Sequence, residues 1–259
     1  MGNFYAEMDQ SGENKNFQSV SDFFEGRSVL LTGASGFLGT VLLEILLRCC
    51  PGIASIYILL RSKGGFTPEQ RKELIFEKKV FTVLKDRNPE VLKKVHVVSG
   101  DMSKPELGMS EENLKCITEQ VSIVYHCAAN LSLLKPVRYL IEKNGGSIKT
   151  MIELCRKMSK FCVLVYTSTF YSNCNHIDFP VKEEVYRLPF HAQKFLDVLK
   201  DENDDRLLEM VSMWKMNWPC WYPFSKCLAE NIIQDMASDL PVAIIRPSLV
   251  GCTWKSPMP

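Results

Sequence analysis

Apolar runs and amphipathic segments alternate along most of the chain. Six runs rich in Val, Ile and Leu show no polar alternation, which is typical of strands covered on both faces of a parallel sheet. These runs predict strands at 28–33, 55–61, 94–101, 122–129, 161–169 and 241–250. Helical periodicity predicts helices at 37–49, about 68–84, about 89–93, 137–157 and 222–237. The order therefore predicts an α/β fold, a doubly wound parallel sheet with helices on both faces.

Two segments depart from this rhythm. Residues 1–22 are polar, so we expect a flexible N-terminal segment and no signal peptide. Between the fifth and sixth strands, residues 173–219 are first loop-like and then charged and amphipathic. We predict that this stretch is a substrate-facing insertion in a single domain spanning 23–259.

Composition and charge argue against several classes of protein. The 259 residues carry 31 basic and 30 acidic side chains, a net charge of +1 with no block of like charge. We therefore expect neither nucleic acid nor a membrane surface as the main partner. The apolar stretch 29–60 is broken by glycines, a proline, Glu44 and Arg48, so it does not predict a membrane span. The ten cysteines form no CxxC pair, which favours free thiols over disulfides or a metal site.

The first predicted strand and helix are joined by the turn TGASGFLG, residues 32–39. Gly33 would allow the tight turn, Gly36 would let the backbone approach a pyrophosphate, and Gly39 would let the helix pack closely on the strand. Amide groups and the positive end of the helix dipole would then face the phosphates. With a strand before it and a helix after it, the turn predicts a Rossmann-type dinucleotide site. Its predicted binding residues are Gly33, Ser35, Gly36, Phe37, Leu38 and Gly39.

The end of the second strand distinguishes between the two nicotinamide dinucleotides. An acidic residue there would accept hydrogen bonds from the ribose 2′-hydroxyl of NAD. The chain has Arg61 and then Lys63 instead, and a guanidinium suits the 2′-phosphate of NADP. We therefore predict NADPH/NADP as the cofactor, with the alternative that Arg61 is an ordinary solvated residue.

Further cofactor-binding residues are predicted at the ends of the third and fourth strands. Asp101, followed by Met102, is placed to meet the adenine amino group. Ala128 and Ala129 are small where the fourth strand passes beneath the cofactor, although ordinary packing explains them equally well.

A tyrosine and a lysine in the sequence YPFSK carry the predicted chemistry. Their spacing of four residues places Tyr222 and Lys226 on the same face of a helix. A lysine ammonium near the phenol, and near the nicotinamide ribose, would lower the tyrosine pKa. Tyr222 could then give a proton to a carbonyl oxygen as hydride arrives. The position of the pair between the fifth and sixth strands is typical of short-chain dehydrogenases/reductases.

Hydroxyl groups at the end of the fifth strand, in TSTFYSN, complete the predicted site. Thr169 is the first candidate to hydrogen-bond a substrate carbonyl and Ser168 the second, because one residue of register decides which side chain faces the cofactor. Either hydroxyl could instead cap the strand end. Asn144, after the fourth strand, could bind a proton-relay water beside the cofactor or mark a helix kink with Gly145 and Gly146.

These motifs lie within longer segments that resemble the alcohol-forming fatty acyl-CoA reductases, a group of extended short-chain reductases. The resemblance runs from about residue 23 to the end and includes FFEGRSVLLTGASGFLG, LLEILLRCCPGIASIYILLRSK, VVSGDMSKPELGMS, TSTFYSN, YPFSKCLAE and AIIRPSLVG. The chain departs from the family after Asn144, where Gly-Gly-Ser-Ile replaces the usual Val-x-Gly-Thr. It departs again before Tyr222, where NWPCWY replaces the usual Asn-Thr pair.

The resemblance implies NADPH-dependent reduction of a long-chain fatty acyl-CoA to a fatty alcohol through an aldehyde, as in ether-lipid or wax synthesis. Tyr222 would be the proton donor, Lys226 its partner, and Thr169 or Ser168 the carbonyl ligand. It also implies an intracellular location at the endoplasmic reticulum or peroxisomal membrane, facing the cytosol, with membrane contact only through segments outside this chain. Two alternatives stay open: another extended short-chain reductase or sugar epimerase, and a non-catalytic module that binds NADP(H).

Overall fold

A parallel β-sheet forms the centre of the structure, a computed structural model that describes residues 19–176, 180–200, 204–212 and 218–251. Within these ranges the strands are β1 (Ser28–Thr32), β2 (Ser55–Leu60), β3 (Val95–Ser99), β4 (Val121–His126), β5 (Val163–Thr167) and β6 (Val242–Ile245). Every pairing is parallel, in the order β3-β2-β1-β4-β5-β6. The predicted doubly wound α/β fold is confirmed.

Helices connect the strands and cover both faces of the sheet. In the described ranges they are α1 (Val20–Phe24), α2 (Phe37–Cys49), α3 (Pro68–Phe76), α4 (Thr82–Arg87), α5 (Glu111–Gln120), α6 (Val137–Leu140), α7 (Ser147–Lys157), α8 (Gln193–Val198), α9 (Asp204–Ser212) and α10 (Trp221–Met236). Short 3₁₀ turns occur at Lys79–Phe81, Pro89–Lys94, Pro105–Gly108 and Phe170–Asn173. No helix in the described ranges is both long and apolar enough to cross a membrane.

The core consists of two apolar clusters, one on each face of the sheet. Strand β1 lies inside the sheet between β2 and β4, and because helices cover both faces there, all of its side chains are buried. Leu30 belongs to the cluster built with α5, α7 and α10, whereas Val29 and Leu31 belong to the cluster built with α2 and α3. Burial of one such side chain contributes about 1.5–3 kcal/mol, so these contacts hold the helices on the sheet.

The helix predicted at 137–157 is interrupted by a π-turn at Ile141–Gly146, between α6 and α7. Two adjacent glycines lower the cost of leaving regular α-helical geometry. Gly145 also faces α10, where an added Cβ would lie 3.2 Å from the Cδ1 atom of Ile232. The turn therefore brings the chain close to α10, the helix that carries Tyr222 and Lys226.

Three other helical segments differ from the prediction. The helix expected at 68–84 ends at Phe76 and continues, after a 3₁₀ turn, as α4. Helix α5 is not among the predicted helices, because most of its residues are polar or charged and Ile117 is its one completely buried side chain. Helix α1 begins inside the predicted flexible segment 1–22, since a capping box of Ser19 and Asp22 starts it. Residues 1–18 lie outside the described ranges.

The predicted insertion at 173–219 packs onto the same core. Phe195 of α8 and Leu207 of α9 are completely buried in the cluster that includes α7 and α10. Parts of the insertion, at 177–179, 201–203 and 213–217, lie outside the described ranges. Its substrate-facing role and the boundaries of the single domain stay predictions.

Candidate functional site

A cavity of about 770 Å³ opens at the carboxyl ends of the strands. It lies where the sheet order reverses between β1 and β4, the position at which doubly wound sheets bind ligands. Of the predicted residues, those that line it are Gly33, Ser35, Gly36, Phe37, Leu38, Gly39, Arg61, Lys63, Asp101, Met102, Ala128, Ala129, Ser168, Thr169, Tyr222 and Lys226. The structure therefore brings the predicted cofactor residues and the predicted catalytic residues into one space.

The glycine turn has the geometry of a phosphate cradle. Gly33 has a φ of +76°, and a Cβ there would lie 2.7 Å from the backbone nitrogen of Ala128. A Cβ on Gly39 would collide with the carbonyl oxygen of Gly33, so α2 can approach the turn only without a side chain there. Helix α2 begins after Gly36 with no side-chain cap. Its first amide groups are therefore available to an anion.

Arg61 and Asp101, which are predicted to contact opposite parts of the adenosine, bind each other. The Arg61 Nη1 atom lies 3.1 Å from the Asp101 Oδ2 atom, and the Arg61 side chain is 57% exposed. Burial disfavours the charged form of Asp101, but hydrogen bonds from Ser103 and Arg61 outweigh this effect and lower the pKa of the carboxyl. An anion that binds beside Arg61 would therefore contact a guanidinium whose position is already fixed by the Asp101 carboxylate.

Two further cations surround Ser35, and sequence reasoning missed both. Arg71 donates from Nη2 to the Ser35 hydroxyl at 2.9 Å and from Nη1 to the carbonyl of Arg61 at 2.7 Å. Lys78 donates to the Ser35 carbonyl at 3.0 Å and to the Thr40 hydroxyl at 2.8 Å. Burial lowers the pKa of both cations, and the charge of Arg61 lowers that of Arg71 further. Their spacing of seven residues, which suggests a shared helix face, was the available signal.

The cavity as a whole is positively charged. Its lining includes five basic side chains and one carboxylate, and the basic residues are Arg61, Lys63, Arg71, Lys143 and Lys226. Such a lining concentrates anions and favours a polyphosphate ligand. Among the described residues, no group of three or more His, Cys, Asp or Glu is arranged to hold a metal ion. The cysteines described by the structure, all except Cys252, are free thiols.

Lys226 is almost completely buried at the base of the cavity, with 1% of its surface exposed. Its Nζ atom donates to the carbonyl of Thr167 at 2.6 Å and lies 4.2 Å from the centre of the Tyr166 ring. Burial lowers the pKa of Lys226 to about 7, although the nearby Glu230 carboxylate acts in the opposite direction. The lysine is therefore poised between its two protonation states near neutral pH.

Tyr222 differs from the expectation drawn from its spacing to Lys226. Burial raises the pKa of Tyr222, and this effect outweighs the lowering produced by a hydrogen bond with the Thr169 hydroxyl. The predicted lowering by the lysine is not observed. The phenol is thus held in its protonated form, which is the form a proton donor requires.

The two candidate hydroxyls have separate surroundings. Ser168 is 3% exposed, and its hydroxyl donates to the carboxylate of Glu230. Glu230 has no exposed surface and accepts two hydrogen bonds from Arg246, at 2.9 and 2.6 Å. Thr169 instead contacts Tyr222 and accepts from the backbone nitrogen of Tyr171 at 3.3 Å. Thr169 is therefore the hydroxyl beside the phenol, whereas Ser168 belongs to a buried ionic network that sequence reasoning missed.

Asn144 is the predicted site residue that does not line the cavity. It lies in the π-turn, 2% exposed, and its Nδ2 atom donates to the Asn130 carbonyl at 3.2 Å and to the Ser225 hydroxyl at 2.8 Å. Its Oδ1 atom accepts from the Asn130 nitrogen at 2.8 Å. The structure thus shows the predicted helix kink. The Asn144 side chain also connects the loop after β4 to α10.

Exposed apolar side chains border the open side of the cavity. Leu131 and Leu133, in the loop after β4, are 67% and 60% exposed, and Leu249, after β6, is 85% exposed. Large apolar side chains on this rim are unusual for a site that binds only a charged dinucleotide. Within the described ranges, no residue between 174 and 219 contributes to the lining.

Comparisons with known proteins place this geometry among reductases. A family model described as male sterility protein matches residues 31–259. Fatty acyl-CoA reductase 1 from Homo sapiens is 38% identical over 243 residues, and fatty acyl-CoA reductase 2 from Homo sapiens is 35% identical over 243 residues. Each alignment covers 93% of this chain and 46% of the relative, so the chain spans about half the length of the curated relatives it matches.

A solved structure with the same architecture is the terminal R domain from the myxalamid PKS-NRPS biosynthetic pathway. It superposes with a TM-score of 0.59 at 28% identity, over 86% of this chain and 49% of that domain.

Proposed function

Because this chain belongs to the male sterility protein family of NAD-binding domains, we propose that it is the cofactor-binding and catalytic part of an NADPH-dependent fatty acyl-CoA reductase. The reaction would convert a long-chain acyl-CoA, two NADPH and two protons into a fatty alcohol, free CoA and two NADP⁺, through an aldehyde. The observation that carries the proposal is the single cavity that joins the glycine turn to Thr169, Tyr222 and Lys226.

The residues present fit NADPH. The open amides of α2 and the two glycines that cannot carry a Cβ would hold the pyrophosphate, and the cations around Ser35 would hold the 2′-phosphate. Arg61 and Arg71 both line the cavity, and Arg71 bonds the carbonyl of Arg61 and the hydroxyl of Ser35. When bound, the nicotinamide supplies hydride to the substrate carbonyl carbon.

The cofactor preference is tested by Arg61→Asp. We expect this variant to weaken NADPH binding far more than NADH binding, because a carboxylate repels the 2′-phosphate. Arg87→Asp on α4 makes the same charge change at an exposed position outside the cavity and serves as the control. Binding of both cofactors is measured by fluorescence titration, and equal losses for NADPH and NADH would contradict the preference.

The chain's own residues would perform the proton transfer. Tyr222, kept protonated by burial, would give its proton to the carbonyl oxygen, while the Thr169 hydroxyl fixes that oxygen beside the phenol. Lys226 lies at the base of the same cavity, and the negative charge of a bound dinucleotide would raise its pKa from about 7. The ammonium would then stabilise the phenolate that forms as the proton leaves.

The same groups would serve both reductions. The first reduction of the thioester gives a hemithioacetal, whose carbon–sulfur bond breaks to release CoA as its thiol and leave an aldehyde. The second reduction converts this aldehyde into the alcohol after Tyr222 is reprotonated. Both steps require only one proton donor and one oxyanion ligand.

The apolar rim supports a long acyl chain as the other half of the substrate. Leu131, Leu133 and Leu249 would contact methylene groups, each of which contributes about 0.8 kcal/mol when buried. A short, polar carbonyl compound would leave these three leucines exposed to water. The rim therefore favours a fatty acyl substrate over the sugar nucleotide of an epimerase.

The activity is tested by NADPH oxidation in the presence of palmitoyl-CoA. We expect Tyr222→Phe to abolish turnover while NADPH binding persists, and Tyr57→Phe, which removes a phenol outside the cavity, to leave turnover intact. Wild-type chain that binds NADPH but reduces no thioester or carbonyl would instead identify a non-catalytic NADP(H)-binding module. Turnover of a small carbonyl compound without turnover of acyl-CoA would identify another short-chain reductase.

The family resemblance supports a location at the cytosolic face of the endoplasmic reticulum or peroxisomal membrane. Membrane contact would come from segments outside this chain. Imaging of a tagged full-length protein with markers for both membranes tests this part of the proposal, and labelling of the secretory lumen would contradict it.

A further inference from the structure

His126 ends β4 directly beneath the cavity and is 1% exposed. Its Nδ1 atom lies 2.8 Å from the Thr32 hydroxyl, and its Nε2 atom lies 3.5 Å from the Ser147 hydroxyl. Thr32 is the last residue of β1, Ser147 is the first residue of α7, and both line the cavity. The imidazole thus connects the strand that leads into the glycine turn with the helix that follows the π-turn.

The hydrogen bonds at the two ends of this connection require the same tautomer. Thr32 accepts from the backbone nitrogen of Ala128 at 3.2 Å, which leaves its own proton free to be donated to the Nδ1 atom of His126. Ser147 gives its proton to the carbonyl of Asn144 at 3.1 Å, so it must accept from the Nε2 atom. Both bonds are thus satisfied by a neutral imidazole with its proton on Nε2.

The surroundings of His126 also exclude a charged imidazole. Burial lowers the pKa of His126 to about 3, and the Lys226 ammonium acts in the same direction. The ring stacks on Tyr166, with 5.7 Å between the ring centres, and the same tyrosine contacts Lys226 on its face. A neutral ring supplies two directed hydrogen bonds beside the lysine without adding a second positive charge.

We propose that His126 is a positioning residue for the catalytic cavity. Through Thr32 it fixes the backbone of Ala128, against which Gly33 packs. Through Ser147 it fixes the π-turn of Asn144, whose side chain reaches Ser225, and Ser225 in turn bonds the carbonyl of Tyr222. His126 thereby sets the distance between the glycine turn and the tyrosine. The kinetic part of this inference rests on the proposed reductase function.

The kinetic test compares His126→Phe, which keeps the ring and its stacking on Tyr166, with Ser147→Ala. We expect kcat to fall about 10- to 100-fold in His126→Phe, because small misplacements of reacting groups have effects of this size, while the Kd for NADPH changes less than about threefold. The double variant is expected to be no slower than His126→Phe, because both changes break one chain of bonds. His96→Phe, in which a partly exposed ring beside Tyr57 is replaced, is the matched control.

Unchanged kcat in a folded His126→Phe protein, or additive losses in the double variant, would overturn the proposal. If His126→Phe does not fold, Ser147→Ala alone decides: a loss of kcat at constant NADPH affinity supports the proposal, and full activity overturns it.

A spectroscopic test is independent of turnover. We expect ¹⁵N spectra of labelled imidazole to show His126 protonated on Nε2 only, without titration between about pH 8 and 5. The opposite tautomer, or titration within that range, would overturn the proposal. If the wild-type chain shows the expected tautomer but no turnover, the proposed function fails while the assignment of the hydrogen-bonded chain stands.

Discussion

Lys226 makes the folded protein less stable, and its replacement by methionine measures by how much. The pKa of this lysine falls from 10.5 to about 7 on folding, because burial disfavours the ammonium. At pH 7 this shift corresponds to a folding penalty of about 4 kcal/mol, at about 1.4 kcal/mol for each unit. The hydrogen bond to the Thr167 carbonyl, which the neutral amine also makes and which methionine would leave unmade, offsets about 2 kcal/mol of this penalty. We therefore expect Lys226→Met to stabilise the cofactor-free protein by about 2 kcal/mol at pH 7.

The sign of the pH dependence follows from the direction of the shift. Between pH 7 and pH 10.5 the unfolded chain holds a proton on Lys226 that the folded chain has released, so the stability of the wild type rises with pH. The penalty falls to about 2 kcal/mol at pH 9. The advantage of Lys226→Met should therefore disappear by about pH 9. The contributions of other titrating groups to the free energy of unfolding cancel, because wild type and Lys226→Met are compared at the same pH.

Urea unfolding of both proteins at several pH values provides the measurement. Lys85→Met on α4, where the lysine is exposed, is the control and should show no such trend. A stability difference between wild type and Lys226→Met that is constant with pH, or that grows as the pH rises, would refute the reasoning.

Three further substitutions test the surroundings of the cavity. Arg71→Ala removes a guanidinium from Ser35 and should raise the Kd for NADPH about tenfold and that for NADH less than twofold, measured by fluorescence titration; equal increases would argue against a 2′-phosphate site. Tyr166→Phe deletes a buried hydroxyl that has no hydrogen-bond partner among the described residues, and it should leave the free energy of unfolding unchanged or raise it by about 1 kcal/mol. Glu230→Gln leaves Arg246 without its buried carboxylate and should lower that free energy by about 3 kcal/mol; an unchanged melting temperature would contradict the ionic role of the pair.

The strands and the glycine turn were predictable because their signals are local. Each strand is a short apolar run, and the turn combines three glycines with a strand and a helix at fixed spacing. Helix α5 was missed because it is short and mostly polar or charged, with Ile117 and Leu114 as its apolar contacts with the core. The irregularity in the helix after β4 was predictable only as one of two alternatives, a kink at Asn144 with Gly145 and Gly146, and the structure shows it as the π-turn Ile141–Gly146.

The side chains of the site were predictable only as alternatives. Ser168 and Thr169 are neighbours in the sequence, but their side chains have different partners. Ser168 bonds Glu230, whereas Thr169 bonds Tyr222. The choice depends on a carboxylate 62 residues further along the chain. Arg71 was missed for a similar reason, since its partner Ser35 is 36 residues away and the two meet only when α3 folds back onto the glycine turn. The spacing of Arg71 and Lys78 could show that they share a helix face, but not that this face meets Ser35.

The order of the strands has a consequence for the lifetime of the protein in the cell. Within the described sheet, the first half, β1 to β3, and the second half, β4 to β6, share a single strand pairing, that of β1 with β4, and the apolar clusters on both faces cover it. A dinucleotide in the cavity would bridge this seam and bind only the assembled state, adding about 2.7 kcal/mol of stability at a concentration 100 times its Kd. Copies without cofactor would open more often along the seam and be degraded faster. The abundance of the protein would then follow the supply of the dinucleotide.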